Sequence, residues 1–123
     1  MSLPVNRRFN EHILTCKTAS VGTTPVAAYC VAPFKGYIVR TYGVLEGTIT
    51  TAAAGIAVTS PQSSSDIGAL SIAVGTAGTA ASDIPTASES ARWVNEGDWI
   101  KFLPSGATGA SIPATFHAVI RQA

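Results

Sequence analysis

Charged residues are scarce in this chain. Of its 123 residues, 12% are charged, whereas an ordinary soluble domain carries about 25%. Eight basic and seven acidic side chains leave a formal net charge of +1, and Arg7-Arg8 is the only adjacent basic pair. Nucleic-acid binders usually carry a strong basic stripe that neutralises phosphates, so we expect no nucleic-acid partner. So little charge gives little repulsion between copies, which suits a protein whose surface is largely covered by neighbours.

Long apolar runs are also missing. No stretch approaches the roughly 18 apolar residues that a membrane span requires, so we expect no membrane partner. Residues 1–4 (MSLP) lack the apolar segment of a signal peptide, which favours synthesis and folding in a cytoplasm. Cysteine is limited to Cys16 and Cys30. In a reducing compartment these favour buried free thiols over a bridge, and without a histidine pair they make no zinc site.

The sequence contains no group of residues whose types and spacing would support catalysis. His12 and His117 are the only histidines, and neither has a partner at metal-ligand spacing. No G-x-S-x-G nucleophile motif occurs, and the Gly-rich segment 75–78 lacks the lysine of a phosphate-binding loop. Glu96 and Asp98 could together hold a calcium ion, but a turn capped by Asp98 is the favoured interpretation. We therefore expect no enzyme activity, no catalytic residues, no metal and no cofactor.

Strand signals run through most of the chain. Small residues (Ala, Thr, Ser and Gly) make up nearly half of it, and β-branched or aromatic segments alternate with turn clusters. Strands are predicted at 12–17, 26–31, 37–45, 48–59, 70–74, 92–94, 99–103 and 114–121. A long excursion between strands is predicted at 75–90, and 84–94 is a weaker candidate for a helix. The pattern predicts an all-β fold, an antiparallel β-sandwich or jelly-roll-like domain at 11–123 after an extended N-terminal arm at 1–10.

The few large side chains must fill much of the core, since so many residues are small. The predicted core residues are Tyr37, Val39, Ile72, Trp99, Ile100, Phe102, Phe116 and Ile120. An alternative role exists for the tryptophans, because aromatic rings can stack on a sugar when they are exposed together. Trp93 and Trp99 are six residues apart across a turn and could meet on neighbouring strands, close to Asn95.

Five segments, taken in order, resemble the head decoration (cement) proteins of tailed bacteriophages. They are 36–52 (GYIVRTYGVLEGTITTA), 68–72 (GALSI), 78–83 (GTAASD), 94–100 (VNEGDWI) and 106–114 (GATGASIPA). The resemblance spans about residues 26–121 and implies a β-sandwich or jelly-roll protein that binds the outside of an assembled capsid and clamps neighbouring capsomers. It implies the major capsid protein and further copies of this chain, as a homotrimer, as partners. It also implies a place on the virion exterior after synthesis in the host cytoplasm.

The N-terminal arm is the predicted partner-binding segment. It combines apolar and basic side chains with no local core to join: Leu3, Val5, Arg7, Arg8 and Phe9. We expect these five residues to reach onto a neighbouring subunit or the shell. The alternative function is a receptor- or carbohydrate-binding module of a tail fibre or adhesin, which would need exposed aromatic rings beside polar loops.

Overall fold

The computed structural model describes residues 11–63, 65–106 and 111–123. Nine strands and one helical turn follow each other along this part of the chain. They are β1 (Glu11–Thr18), β2 (Ala28–Val31), β3 (Gly36–Leu45), β4 (Ala54–Thr59), β5 (Gly68–Ile72), β6 (Ala80–Asp83), α1 (Glu89–Arg92), β7 (Trp93–Val94), β8 (Trp99–Pro104) and β9 (Ala114–Gln122). No helix in the described ranges has the length and apolar character that crossing a membrane would demand.

The strands form two antiparallel sheets. The first sheet has the order β1-β9-β3-β6, with β7 also paired to β3, and the second has the order β2-β8-β4-β5. Strands that are neighbours in the chain are mostly not neighbours in a sheet, which is the arrangement of a sandwich whose chain crosses between its two layers. The predicted antiparallel β-sandwich or jelly-roll-like fold is confirmed.

The core lies between the two sheets and follows the period-2 alternation of strands. In β9 the alternating residues Phe116, Ala118 and Ile120 are fully buried, as the sequence predicts. Five of the eight predicted core residues are buried: Ile72, Ile100, Phe102, Phe116 and Ile120.

The other three predicted core residues are not in the core. Trp99 is 39% exposed because it alternates with the buried Ile100 and therefore faces outward. Tyr37 and Val39 are half-buried, since in that half of β3 the inward positions are Gly36 and Ile38.

A β-bulge in β3 changes which residues face the core. Ile38 pairs with Ile120, but Arg40 pairs with Val119, so Val39 is the extra residue. Val39 and Arg40 both lie on the outer side, and the inward positions resume at Thr41. The bulge explains why a simple alternating pattern misplaces Val39.

Three predicted elements differ from the structure. The strand predicted at 48–59 begins only at Ala54, and Ile49 makes an isolated bridge to Gly75. The excursion at 75–90 contains β6, whose small residues (AASD) carry little strand signal. The helix considered at 84–94 is one turn, Glu89–Arg92, with Ser88 as its N-cap accepting from the Ala91 amide.

Candidate interaction surfaces

The outer face of the second sheet exposes large apolar side chains. Tyr29 and Val31 of β2 are 54% and 62% exposed, and Trp99 and Leu103 of β8 are 39% and 40% exposed. We call these four residues the apolar face. Val31 pairs with Trp99 across the two strands, so the face is continuous from one strand to the next. Each alternates with a buried residue, which fixes the side chains on the outside of the sandwich.

Charge is almost absent from this side of the protein. At the outward positions of the four strands of the second sheet, Lys101 is the only charged side chain, and the remaining positions are apolar, glycine or hydroxyl residues. The rings of Tyr29 and Trp99 meet edge to face, with centroids 6.1 Å apart and planes at 89°. Exposed apolar groups that cluster in this way mark protein or ligand contacts more often than scattered ones do.

The outer face of the first sheet carries ion pairs beside its apolar side chains. Arg121 forms an ion pair with Glu11 at 2.6 Å, and Lys17 forms one with Glu46 at 2.8 Å. The Lys17 ammonium and the Thr115 hydroxyl, which donates to Glu46 at 2.9 Å, together lower the pKa of the Glu46 carboxyl. The two outer faces of the sandwich therefore differ sharply in charge.

A groove of about 560 Å³ lies on the same face, between the bulge in β3 and strands β1 and β9. Its apolar lining includes Ile13, Val39 and Val119, and Arg40 and Tyr42 stand beside them. The Arg40 guanidinium donates to the Tyr42 hydroxyl at 3.2 Å and lies 5.9 Å from the centre of its ring. The groove exists because the bulge turns both Val39 and Arg40 outward.

The histidines and the acidic pair have structural partners. His12 packs its ring against Phe34 at 4.6 Å, and His117 shares a 3.0 Å hydrogen bond with Thr15. Asp98 accepts from the Asn95 amide at 2.9 Å, so it caps the turn as the favoured interpretation predicts. Within the described ranges, no three His, Cys, Asp or Glu residues are grouped so as to hold a metal ion.

The two tryptophans do not meet as the sequence suggests. Trp93 lies on β7 in the first sheet, whereas Trp99 lies on β8 in the second sheet, so the prediction of neighbouring strands is wrong. Trp93 does donate to Asn95 at 3.0 Å, but the ring that joins Trp99 is Tyr29. The five predicted arm residues Leu3, Val5, Arg7, Arg8 and Phe9 lie outside the described residues.

The apolar face was missed by sequence reasoning for a physical reason. In 99–103 the outward residues Trp99 and Leu103 are as apolar as the inward residues Ile100 and Phe102. Period-2 alternation identifies the buried face only when the other face is polar. A strand that is apolar on both sides therefore needs its pairing register before its exposed residues can be identified.

Known proteins match this chain in fold and not in sequence. No family model matches it, and the search of curated proteins gave no significant match. The cyanophage Pam1 capsid asymmetric unit aligns over 100% of this chain and 93% of that chain, with a TM-score of 0.51 at 10% identity. PRD1 vertex protein P5 aligns over 93% and 98%, with a TM-score of 0.50 at 14% identity. A CBM35 module from Cellvibrio japonicus Abf62 aligns over 92% and 98%, with a TM-score of 0.48 at 12% identity.

At these identities the likeness shows the fold alone. The chain is an antiparallel β-sandwich of the jelly-roll-like kind, and its structural neighbours include phage capsid proteins.

Proposed function

We propose that this chain is a structural virion protein that binds the outside of a phage capsid and stabilises contacts between capsomers, without catalysis. The observation that carries the proposal is the apolar face, with its four exposed large side chains and the single charge of Lys101 beside them. A contiguous apolar face of this kind is typical of a surface that contacts a partner. A capsid shell repeats the same binding site at every symmetry-related position.

Symmetry makes such a modest contact sufficient. Each copy in a closed ring contributes one small apolar contact. Once the first copy is bound, the other contacts form within the same assembly, so the affinity of the whole ring exceeds that of one copy. We propose that the chain acts as a homotrimer on the major capsid protein, with the apolar face toward the shell. The ion-paired face of the first sheet, carrying Glu11–Arg121 and Lys17–Glu46, then faces the medium.

The fold supports this proposal at a coarse level. Pam1 capsid and PRD1 vertex proteins, which are phage virion components by name, share the sandwich over almost the whole chain. The N-terminal arm supplies a second contact in the proposal, with Leu3, Val5 and Phe9 against apolar surface and Arg7 and Arg8 against carboxylates.

Cosedimentation with genome-filled heads assembled without this chain tests the proposal. We expect full-length protein to bind saturably, and Trp99→Ser or Leu103→Ser to weaken binding about tenfold, since a buried contact residue is worth about 1–2 kcal/mol. Ile13→Ser is the matched control because Ile13 is 67% exposed on the opposite face. No binding at all would refute the capsid role, and equal binding by all four proteins would refute the apolar face as the contact. A chain lacking residues 1–10 tests the arm separately, and we expect weaker binding.

The alternative, a receptor- or carbohydrate-binding module, is favoured by one observation. The exposed edge-to-face pair of Tyr29 and Trp99 could present a ring to a sugar. A glycan array distinguishes the two functions. Saturable binding of one glycan class that disappears in Trp99→Ser would support the alternative, whereas an empty array together with head binding supports the capsid role.

A further inference from the structure

The two cysteines lie at the same open edge of the sandwich. Cys16 is on β1, the edge strand of the first sheet, and Cys30 is on β2, the edge strand of the second. β1 packs against β2 across the gap between the sheets. Cys16 is half-buried and Cys30 is 3% exposed, and both are free thiols.

Strand register shows that both thiols point into the space between the sheets. Cys16 pairs with Phe116 and Cys30 pairs with Ile100, and both partners are fully buried. Paired residues of an antiparallel ladder share a face, so the cysteines also face inward. The two side chains interact across this space, since a hydrogen bond between them is the first cause of the pKa shift of each thiol.

This interaction shifts the pKa values of the two thiols in opposite directions. The hydrogen bond from Cys16 stabilises a thiolate at Cys30 and lowers the Cys30 pKa, whereas donating this bond, together with burial, raises the Cys16 pKa.

We propose that Cys16 and Cys30 are a reversible modification site, where a low-molecular-weight disulfide such as oxidised glutathione converts the thiol pair into an intersheet disulfide. One thiol of the pair loses its proton to water and attacks one sulfur of oxidised glutathione, and one glutathione leaves with the electron pair of the broken S–S bond. The second thiol then loses its proton, attacks the cysteine sulfur of the mixed disulfide and releases the second glutathione. The protein loses two electrons and two protons, and two glutathione thiols gain them.

The bond would join the edge strands β1 and β2, which belong to different sheets and do not pair with each other. It spans a short loop, 17–29 between the two cysteines, and restricts the unfolded chain. For a loop of about 15 residues we expect the melting temperature to rise by roughly 10 °C on oxidation. This inference does not depend on the proposed capsid role, because it concerns two side chains inside one copy of the chain.

The test uses the purified full-length chain, fully reduced and then incubated with oxidised glutathione at neutral pH. We expect loss of both free thiols, an intact mass lower by two hydrogens, and a cross-linked peptide joining Cys16 to Cys30. Dithiothreitol should restore the original mass and melting temperature. Because these measurements use the unsubstituted chain, they do not depend on whether a variant folds.

Cys16→Ser and Cys30→Ser are the matched controls. The Cys30→Ser variant should stop at a glutathione adduct on Cys16, with no rise in melting temperature. Three results would overturn the proposal: both thiols remaining free in the unsubstituted chain, glutathione adducts that never resolve, or disulfides found only between copies on a non-reducing gel.

Discussion

Phe102 and Phe116 stack face to face across the two sheets, with ring centroids 5.0 Å apart and planes 3° from parallel. Both rings are fully buried, one from the centre of each sheet. Gly43 makes room for this stack, since a Cβ atom there would lie 3.1 Å from a Phe116 ring carbon. In a core built mainly from Ile, Val and Ala, these rings form the main aromatic contact between the layers.

The stacked pair predicts energetic coupling across the sandwich. We expect Phe102→Leu and Phe116→Leu each to lower the free energy of unfolding by about 1–2 kcal/mol. The double variant should lose less than the sum, with a coupling of about 0.5–1.5 kcal/mol for the ring pair. Urea denaturation of the four proteins measures this cycle. Leu103→Ala, on the exposed side of the same strand, should change stability by no more than about 0.5 kcal/mol. Strict additivity of the two substitutions would contradict the stacking argument.

The fold class was predictable because inward and outward residues alternate clearly in β9. In β9, Phe116, Ala118 and Ile120 face inward between polar neighbours such as Thr115 and His117. The turn before β8 was also predictable, since Gly97 has a φ of +88°, which glycine adopts readily.

The groove and the apolar face were not predictable, each for its own reason. At the groove, the bulge at Val39 shifts the inward phase by one residue, and no residue type in 36–45 marks a bulge. Trp99 is large and apolar, so burial is the natural expectation until its register with Val31 on an edge strand is known. Both failures come from pairing between distant strands, which a local pattern does not contain.

Thr41 presents a buried hydroxyl without a hydrogen-bond partner among the described residues. Replacing it with valine keeps the shape and removes the desolvated hydroxyl, so we expect Thr41→Val to raise the free energy of unfolding by about 1 kcal/mol. Thr41→Ser keeps the hydroxyl and deletes a methyl group, so it should be destabilising. Thermal denaturation of the three proteins should give the highest melting temperature for the Val variant, a lower one for the parent and the lowest for the Ser variant. A Val variant less stable than the parent would show that the hydroxyl has a stabilising role.

Arg92 bonds to β3 between the segments that pair with β7 and with β6. Its guanidinium donates to the Ile38 carbonyl at 2.9 Å and to the Ala87 carbonyl at 3.0 Å, and lies 5.5 Å from the Tyr37 ring. Lysine cannot reproduce this forked geometry. We therefore expect Arg92→Lys to lower the free energy of unfolding by about 1–2 kcal/mol. Arg40→Lys is the control on the exposed face, with an effect within about 0.5 kcal/mol, and equal effects of the two substitutions would refute the argument.

Gly36 is predicted to tolerate no side chain. A Cβ atom there would lie 2.2 Å from the Arg121 carbonyl oxygen, which belongs to the backbone of the neighbouring strand. We expect Gly36→Ala to lower the free energy of unfolding by about 1–3 kcal/mol, because β3 and β9 must move apart. Gly55→Ala is the matched control, since its Cβ would meet only the Ser105 hydroxyl at an ordinary 3.4 Å. Chemical denaturation measures the free energy of unfolding of both variants. Similar decreases for the two would show that replacing any strand glycine is destabilising, whether or not its Cβ atom meets the neighbouring backbone.

The ion pair between Lys17 and Glu46 predicts a specific pH dependence. Because the pKa of Glu46 is lowered in the folded state, the unfolded chain binds a proton at higher pH than the folded chain does. The stabilisation is therefore present above the ordinary carboxyl pKa of 4.5 and is lost as the pH falls through the lower folded value. The melting temperature of the parent should exceed that of Glu46→Gln at neutral pH, and the two values should converge in acid.

Lys17→Gln provides the control for this pH dependence. This substitution removes the first cause of the Glu46 pKa shift and leaves the Thr115 hydroxyl in place. Its curve of melting temperature against pH should therefore lie between those of the parent and Glu46→Gln. Both side chains are well exposed, at 60% and 34%, so added salt should also narrow the difference at neutral pH. A difference between parent and Glu46→Gln that stayed constant down to acid pH would show that shape, and not charge, explains the effect of the substitution.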